Sequence, residues 1–254
     1  MSDAPGRGRV RVPGMVILAL ALWVLPAPLF AGKVQLGDSS GSTPAPVEGS
    51  DLEVSFNPTV TVSTQAGDTS LSLLLRLAQG INEAGLGVYT AEAILPTLLE
   101  IRRTTGGDID DLRFRENDSG IQSVLLSLLR PKLAAWIGMV HETPSAGVLV
   151  LTLNDQAIAV ETAGKGSADA VNLALVQAIQ QAGFDVAFFP PFILVLRHSG
   201  SAEGLTRVGW RSTDPGITSS DLALLPEAWL GASDGTAPSS GPTSPGNPKR
   251  RLKP

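Results

Sequence analysis

Two stretches of the sequence, 98 residues apart, decide the fold. The first is VTVSTQAGDTSLSLLLRLAQGINEAGLGV at residues 60–88, and the second is IAVETAGKGSADAVNLALVQAIQQAGFDV at residues 158–186. Nine aligned positions carry identical residues, including Leu75 with Leu173 and Ile81 with Ile179. Each stretch places an alternating segment, a short polar loop, a helical pattern, a glycine and another apolar segment in the same order. We interpret them as two copies of one strand–helix–strand unit.

The first copy predicts a helix that begins after Asp68 or Thr69 and continues to about Ala84. Asp and Thr side chains accept hydrogen bonds from the unpaired amides at a helix start, and Gly85 is a typical stop. The residues expected to share its buried face are Leu71, Leu74, Leu75, Ala78 and Ile81.

The second copy predicts a helix that Ser167 caps and Gly183 ends. The expected buried stripe is Val171, Leu175, Ala178, Ile179 and Ala182. The residues expected to face outward are Asp169, Asn172, Gln177 and Gln180. Equivalent copies require that Ile81 and Ile179 are both core residues, and that Gly85 and Gly183 both adopt positive φ.

Strand patterns surround the two helices. Alternation or short apolar runs predict strands at residues 52–56, 59–64, 133–140, 148–153, 156–162, 184–188, 192–196 and 205–211. Asn154-Asp155 suits a two-residue hairpin turn. Residues 90–103 and 120–129 read as helical. The predicted fold is therefore α/β or α+β, with two related strand–helix–strand units, a mainly antiparallel sheet and a helical insert from about 90 to 130.

The expected organisation has six segments. A signal peptide or membrane anchor covers residues 1–31, and a flexible linker rich in Ser, Gly and Pro covers 32–50. The first strand–helix unit covers 51–105, a charged loop and helix 106–132, and the second unit 133–230. Residues 231–254 lack apolar periodicity, which predicts a disordered tail.

The first thirty residues have the pattern of an export signal. Arg7, Arg9 and Arg11 precede the apolar run MVILALALWVL at residues 15–25, and PAPLFA follows. We favour cleavage after Ala31 because prolines shorten the usable helix. An uncleaved anchor is the alternative, since no residue from 12 to 32 carries a charge. In either case the body is expected outside the cytoplasm: periplasmic, secreted or membrane-anchored.

Composition excludes several classes of function. The chain has no cysteine, which excludes disulfides, thiolate metal sites and thiol nucleophiles. Only His141 and His198 are available as histidine ligands, so no metal or other cofactor is expected. The formal net charge is −5 and no basic face is apparent, which argues against nucleic acid as a partner.

One short motif is the candidate binding site. Gly164-Lys165-Gly166-Ser167 precedes the second predicted helix, where free amides and a lysine favour an anion. Ordinary helix capping is the alternative that we favour. A second motif, the G-x-S-x-G pattern at residues 37–41, lies in the predicted linker rather than on a strand-to-helix turn, so we assign no catalytic residue.

An acidic segment follows the first unit. Arg113 and Arg115 are interleaved with the acidic residues Asp108, Asp110, Asp111, Glu116 and Asp118. The spacing lacks the glycine and the closing glutamate of an EF-hand loop, so we expect a solvated, self-paired loop rather than a calcium site. His141 and His198 both end apolar strands and are expected to be structural.

The second copy resembles a known pattern. IAVETAG, SADAVNLALVQAIQQAGF, DVAFFPP and FILVLRHSG together resemble the strand–helix–strand–strand course of SPOR-type peptidoglycan-binding modules, over about fifty residues. The resemblance implies a peptidoglycan-binding role for this part of the chain.

These observations favour a non-catalytic exported protein that binds a partner or assembles in the cell envelope, including as a component of a phage or secretion structure. The expected partner is a protein or another envelope component, and a homo-oligomer is compatible with the repeat. The alternatives are a secreted hydrolase, whose site would be assembled from distant residues, and the peptidoglycan-binding module. An enzyme requires a concave pocket with convergent polar groups.

Overall fold

The computed structural model describes residues 31–37, 48–105, 109–117, 121–196 and 204–226. Within these ranges the chain forms fourteen strands and two helices. In chain order they are β1 (Ala31–Leu36), β2 (Asp51–Ser55), β3 (Thr59–Ser63), α1 (Ser70–Ala84), β4 (Tyr89–Leu95), β5 (Leu98–Arg103), β6 (Leu112–Asn117), β7 (Ser123–Lys132), β8 (Ala134–Gly138), β9 (Val148–Leu153), β10 (Gln156–Glu161), α2 (Ala168–Gln181), β11 (Asp185–Phe189), β12 (Phe192–Leu196), β13 (Leu205–Ser212) and β14 (Ser220–Leu225). The fold is α+β, as predicted.

The strands form two antiparallel sheets of seven strands each. Sheet A has the order β10-β9-β13-β7-β1-β5-β4, and sheet B has the order β3-β2-β6-β14-β8-β12-β11. Alternate side chains point inward, as the period of a strand requires. Leu52 and Val54 of β2 and Leu112 and Phe114 of β6 are examples, all fully buried. The inward side chains of both sheets form one continuous core.

The two sheets have the same strand order once the halves of the chain are exchanged. We count β1–β7 as the first half of the chain and β8–β14 as the second. Each strand of one half then corresponds to the strand seven places along in the other half, as β1 does to β8. The two strands of every such pair occupy the same place in opposite sheets. Each half supplies four strands to one sheet and three to the other. Neither half therefore completes a sheet alone.

The helices close the two open sides of this sandwich. α1 connects β3 at an edge of sheet B to β4 at an edge of sheet A, and α2 connects β10 of sheet A to β11 of sheet B. Each helix packs on the two edge strands that it joins. Ile81 and Ile179 are both fully buried, which confirms the prediction for this pair.

Side chains of α1 also protect the edge strands. Asn82 accepts a hydrogen bond from the Ala91 amide and donates one to the Ala91 carbonyl, at 2.8 and 3.0 Å. Arg76 donates to the carbonyl of Ser63 on β3 at 2.9 Å. Unpaired backbone groups at a sheet edge invite pairing with other chains, and these contacts occupy some of them.

The sandwich has two ends, which we call the base and the rim. The base is where β1 begins at Ala31, where β7 turns into β8, and where both helices end. The rim is the opposite end, where β6 and β8 end and where β12 and β14 begin. The registers of β1 with β5 and of β8 with β12 place Ala31 and Ala134 at the base.

Several local predictions are confirmed. Thr69 caps α1 in a reciprocal capping box with Ser72, and the Ser167 hydroxyl accepts from the Ala170 amide to cap α2. Asn154 adopts φ 52° in the two-residue turn between β9 and β10, and Gly183 adopts φ 89° after α2.

The helical insert predicted for residues 90–130 is wrong. Residues 90–103 form the hairpin of β4 and β5, which turns at Pro96-Thr97, and residues 123–132 form β7 at the centre of sheet A. The predicted linker at 32–50 is also wrong at its start, because β1 lies between β5 and β7 in sheet A. Burial between sheet neighbours overrides the helical preference of these Leu- and Ala-rich segments.

The acidic segment is likewise not a self-paired loop. Residues 112–117 form β6, where Glu116 is buried and Arg113 pairs with Asp221 of β14. Asp108 and Asp118 lie outside the described residues.

The face and the end of α1 differ from the prediction. Leu71 and Leu75 are 39% and 53% exposed, while Leu73 and Leu77 are buried. Gly85 has φ −71° rather than a positive value, and the positive values occur at Leu86 and Gly87. A Cβ at Gly85 would lie 2.7 Å from the Ile81 carbonyl oxygen, so a close approach explains this glycine. In α2, Asn172 is buried rather than outward and exchanges two hydrogen bonds with the Val140 backbone.

Residues 1–30 of the predicted leader, residues 38–41 of the G-x-S-x-G pattern, His198 and the tail at 231–254 lie outside the described residues. Ala31, the last residue of the predicted leader, is the first residue of β1. In the described ranges, neither α1 nor α2 is long and apolar enough to cross a membrane.

Candidate functional site

A cleft of about 540 Å3 opens at the rim of sheet B, and we call it the cleft. Its wall comes mainly from four adjacent strands, β6, β14, β8 and β12, and from the loop that follows β8. Its volume is within the usual range for ligand pockets.

Gly138, the last residue of β8, shapes the floor of the cleft. Asp221 of β14 approaches so closely that a Cβ on Gly138 would lie 2.8 Å from the Asp221 Cβ. Contacts of this length do not occur between real Cβ atoms, so only glycine fits here. The missing side chain leaves the space between Phe192 and Asp221 open.

An aromatic stack supports one wall. The rings of Phe192 and Trp136 lie parallel, with an interplanar angle of 6° and centroids 4.3 Å apart. The Arg113 guanidinium lies 4.7 Å from the Trp136 centroid, a cation–π distance. Phe192 and Arg113 line the cleft, and Trp136 packs against both of them.

Arg113 is fixed by a second contact. Its Nε and Nη2 donate to the two carboxylate oxygens of Asp221, at 3.0 and 2.5 Å. Both side chains are partly buried, with 27% and 17% exposed. A bidentate pair of this kind holds the guanidinium in one orientation, because both partners must keep their planes aligned. The wall of the cleft is thus preorganised before any partner binds.

Two further carboxylates lie at the cleft. Glu116 is buried and accepts a hydrogen bond from the Ser220 hydroxyl at 3.1 Å. Glu142 accepts from the backbone amide and the hydroxyl of Ser219, and from the His141 amide. These bonds tie the loop after β8 to the start of β14.

A buried carboxylate braces the loops behind the cleft. Asp214 is 2% exposed and accepts hydrogen bonds from the Thr162 hydroxyl and from the amides of Ser145 and Gly216. Burial by itself would raise the pKa of Asp214, but these hydrogen bonds favour the charged form and hold the pKa below its ordinary value. The charged carboxylate therefore joins the 143–147 and 213–217 segments to the end of β10.

The four residues of the predicted anion site do not line the cleft. Gly164 and Gly166 adopt φ 75° and 70°, the Lys165 amide donates to the Thr162 carbonyl, and Ser167 caps α2. They form a turn and a helix cap, which is the alternative favoured from the sequence. His141 lies in the loop after β8, which ends at Gly138, and lines the cleft.

Sequence reasoning missed the residues that build the cleft. Arg113 and Asp221 are 108 positions apart, and no sequence pattern links them. One signal was available: AAWIG of β8 and FILVL of β12 are apolar at successive positions, not only at alternate ones. Such strands are buried or covered on both faces. The outer face of sheet B accordingly carries a small second apolar cluster at Ala134, Ala223 and Leu225.

Within the part of the chain that the structure describes, no group of three acidic or histidine side chains is suited to hold a metal ion. No protein-family model, no curated protein and no solved structure matches the chain. The geometry of the cleft is therefore the basis on which a function is proposed.

Proposed function

We propose that this chain is an exported, non-catalytic binding protein of the cell envelope, which holds a segment of a partner protein in the cleft. The observation that carries the proposal is the preset wall of the cleft, formed by Phe192 and by Arg113 between Trp136 and Asp221. Aromatic residues and arginine dominate the binding energy of protein interfaces. A preset wall also lowers the entropy lost when a partner is bound.

The comparison between the two halves supports this surface. The outer face of sheet A has no aromatic residue on β1 or β5, which carry Lys33, Gln35, Leu98 and Glu100 there. On the outer face of sheet B, the counterpart strands β8 and β12 carry Trp136 and Phe192 instead. We infer that the halves derive from one duplicated unit and that the second half acquired the binding surface.

The carboxylates favour binding over the hydrolase alternative. Glu116, Glu142 and Asp221 each already accept hydrogen bonds from neighbouring side chains or backbone. A general acid or base needs a carboxyl oxygen that is within hydrogen-bond distance of the substrate and free to transfer a proton. These groups instead hold the wall and the loops of the cleft together, which is a positioning role.

In-cell photo-cross-linking tests the proposal. A photoreactive phenylalanine analogue replaces His141 in the cleft and, in a control, Gln180 on the exposed side of α2. We expect a discrete adduct with an envelope protein from position 141 and none from position 180. Adducts of the same pattern from both positions, or none from position 141, would contradict the proposal.

Peptidoglycan binding is a second candidate, since one observation favours it. Phe192 belongs both to the stretch that resembles SPOR-type modules and to the wall of the cleft. However, β10 lies in sheet A while β11 and β12 lie in sheet B, so this stretch does not form a sheet of its own. Sedimentation of the purified protein with peptidoglycan sacculi decides between the candidates: loss of binding in Phe192→Ala would favour the polymer.

A further inference from the structure

The base of the sandwich is the end of the folded body that follows the leader in the sequence. β1 begins at Ala31, directly after the apolar and uncharged residues that lead up to it. An extended residue spans at most about 3.6 Å, so the few residues after the apolar run at 15–25 keep the body close to whatever holds that run.

The pairing of Ala31 disfavours removal of the leader at this point, because Ala31 is the first residue of β1 and pairs with Arg102 of β5. Gly32 is buried, and its inward side meets Ile109, Leu112 and Leu128. Cleavage after Ala31 would create a charged amino group at Gly32. The cut would also remove Ala31 from its pairing with Arg102, and a retained leader keeps the start of β1 intact.

Exposed leucines flank the same point. Ala31 pairs with Arg102 on one side, and on the other side Leu129 follows Leu128, the partner of Gly32. Leu129 therefore stands beside the first residue of β1, and it is 57% exposed. Leu86, in the connection between α1 and β4 at the base, is 88% exposed.

Leu86 also has an unusual backbone conformation. Its φ is 47°, a region that leucine rarely adopts, although glycines stand on both sides of it. Its counterpart in the second copy, Phe184, packs partly buried against the core. The side chain of Leu86 is almost fully exposed, so its packing in the folded body does not offset the cost of its backbone conformation. A contact with a surface outside the body would offset that cost.

The charges at the base are balanced. Arg102 pairs with Glu100, and Arg103 and Arg130 lie at the same end as Asp110 and Asp111. A strongly basic patch is not present among the described residues there, so attraction to anionic lipid is not the main contribution. The exposed leucines and the adjoining leader make an apolar contact the favoured one.

We propose that the leader stays in place as a membrane anchor and that the base rests on the bilayer, with Leu86 and Leu129 inserted among the lipid headgroups. The cleft, at the rim, then points away from the membrane. This inference rests on the proposed export of the chain. It adds the orientation of the body and the class of surface that the base contacts.

Single-cysteine labelling tests this orientation, because the chain has no cysteine of its own. Leu86→Cys and Leu129→Cys report on the base. Leu95→Cys and Phe188→Cys are matched controls at the rim, with 56% and 51% exposure in the original residues. Each full-length variant is labelled with an environment-sensitive dye and reconstituted in phosphatidylethanolamine–phosphatidylglycerol vesicles, with or without brominated acyl chains.

We expect blue-shifted emission and bromine quenching at positions 86 and 129, and water-like emission at 95 and 188. Equal emission at all four positions would overturn the inference. Mass spectrometry of the membrane fraction should find the leader intact. If the body is exported but cleaved and released, the proposed anchor is wrong and the proposed function of the cleft is unaffected. If the chain stays in the cytoplasm, both proposals are wrong.

Discussion

Gly138 is the residue whose side chain, or lack of one, most directly sets the shape of the cleft. Replacing it with alanine places a Cβ 2.8 Å from that of Asp221, which its pair with Arg113 holds in position. We expect Gly138→Ala to lower the free energy of unfolding by ~1–3 kcal/mol, as overpacking does. Urea denaturation measures this change. Ala159→Ser, on the exposed face of β10, is the control and should leave the midpoint unchanged; an equally unchanged midpoint in Gly138→Ala would contradict the close approach.

The buried carboxylate of Asp214 makes the free energy of unfolding depend on pH. Its pKa in the folded protein lies below its ordinary value of 3.8, because hydrogen bonds to the charged form outweigh burial. The stabilisation is therefore complete above the unfolded value and is lost as the pH falls through the lower folded value. We expect Asp214→Asn to be less stable at neutral pH and to lose less stability on acidification.

Urea midpoints measured over a series of acidic pH values test this prediction. Asp68, whose pKa is also lowered, contributes in the same direction to both proteins, so the difference in slope isolates Asp214. Parallel slopes in the two proteins would show that Asp214 is not the group responsible.

At the scale of elements, the two helices offer a matched comparison. Ile81 and Ile179 are fully buried, while Leu75 and Leu173, also identical between the copies, are 53% and 58% exposed. We expect Ile81→Ala and Ile179→Ala each to cost ~2–5 kcal/mol in the free energy of unfolding. Leu75→Ala and Leu173→Ala should change it by less than about 0.5 kcal/mol. Similar losses in all four variants, measured in guanidinium, would mean that the buried faces of the helices are assigned wrongly.

The helices were predictable because local signals agree with the fold at those places. Thr69 and Ser167 cap them, and apolar residues recur at helical spacing. Even so, Leu71 and Leu75 were assigned to the buried face of α1 wrongly, whereas Leu74, Ala78 and Ile81 are buried as predicted. Leucine occupies four of the five positions from 71 to 75, so the periodicity does not define a single stripe.

The β4–β5 hairpin and β7 were not predictable by the same means. Residues 90–103 are rich in Ala, Leu and Glu, which favour a helix, and Pro96 reads as a helix restart although it lies in the hairpin turn. In β7, Val124, Leu126 and Leu128 are buried, but Leu125 and Leu129 between them hide the alternation. These segments are strands because β4 pairs with β5 and because β1 pairs with both β5 and β7. A local window of sequence does not show such pairing.

The cleft could not be predicted at all as a site. Its main ion pair joins β6 to β14, and its aromatic stack joins β8 to β12. Each pair exists only because these strands are neighbours in sheet B. That strand order arises when strands of both halves of the chain assemble into one sheet. The sequence repeat indicated two related units but not that each half contributes to both sheets.

In the whole molecule, the exchange of strands between halves predicts that the sandwich unfolds as one cooperative unit. Each sheet contains strands of both halves, so loss of one half leaves no complete sheet. The symmetry ends at the outer faces, where β8 and β12 carry Trp136 and Phe192 while the counterpart strands β1 and β5 carry no aromatic residue. This difference locates the proposed binding surface at the rim, opposite the point where the leader joins the body.

The yield of the cross-linked adduct from position 141, compared between two phenylalanine variants, reports directly on whether the partner is bound in the cleft. Phe192→Ala removes a side chain that lines the cleft, and Phe188→Ala removes one of the same type, 51% exposed, from the same hairpin but outside the cleft. We expect a loss of the adduct by at least about tenfold in Phe192→Ala, equivalent to about 1.4 kcal/mol of binding, and an unchanged yield in Phe188→Ala. Equal yields in the two variants, at equal amounts of folded protein, would contradict this expectation.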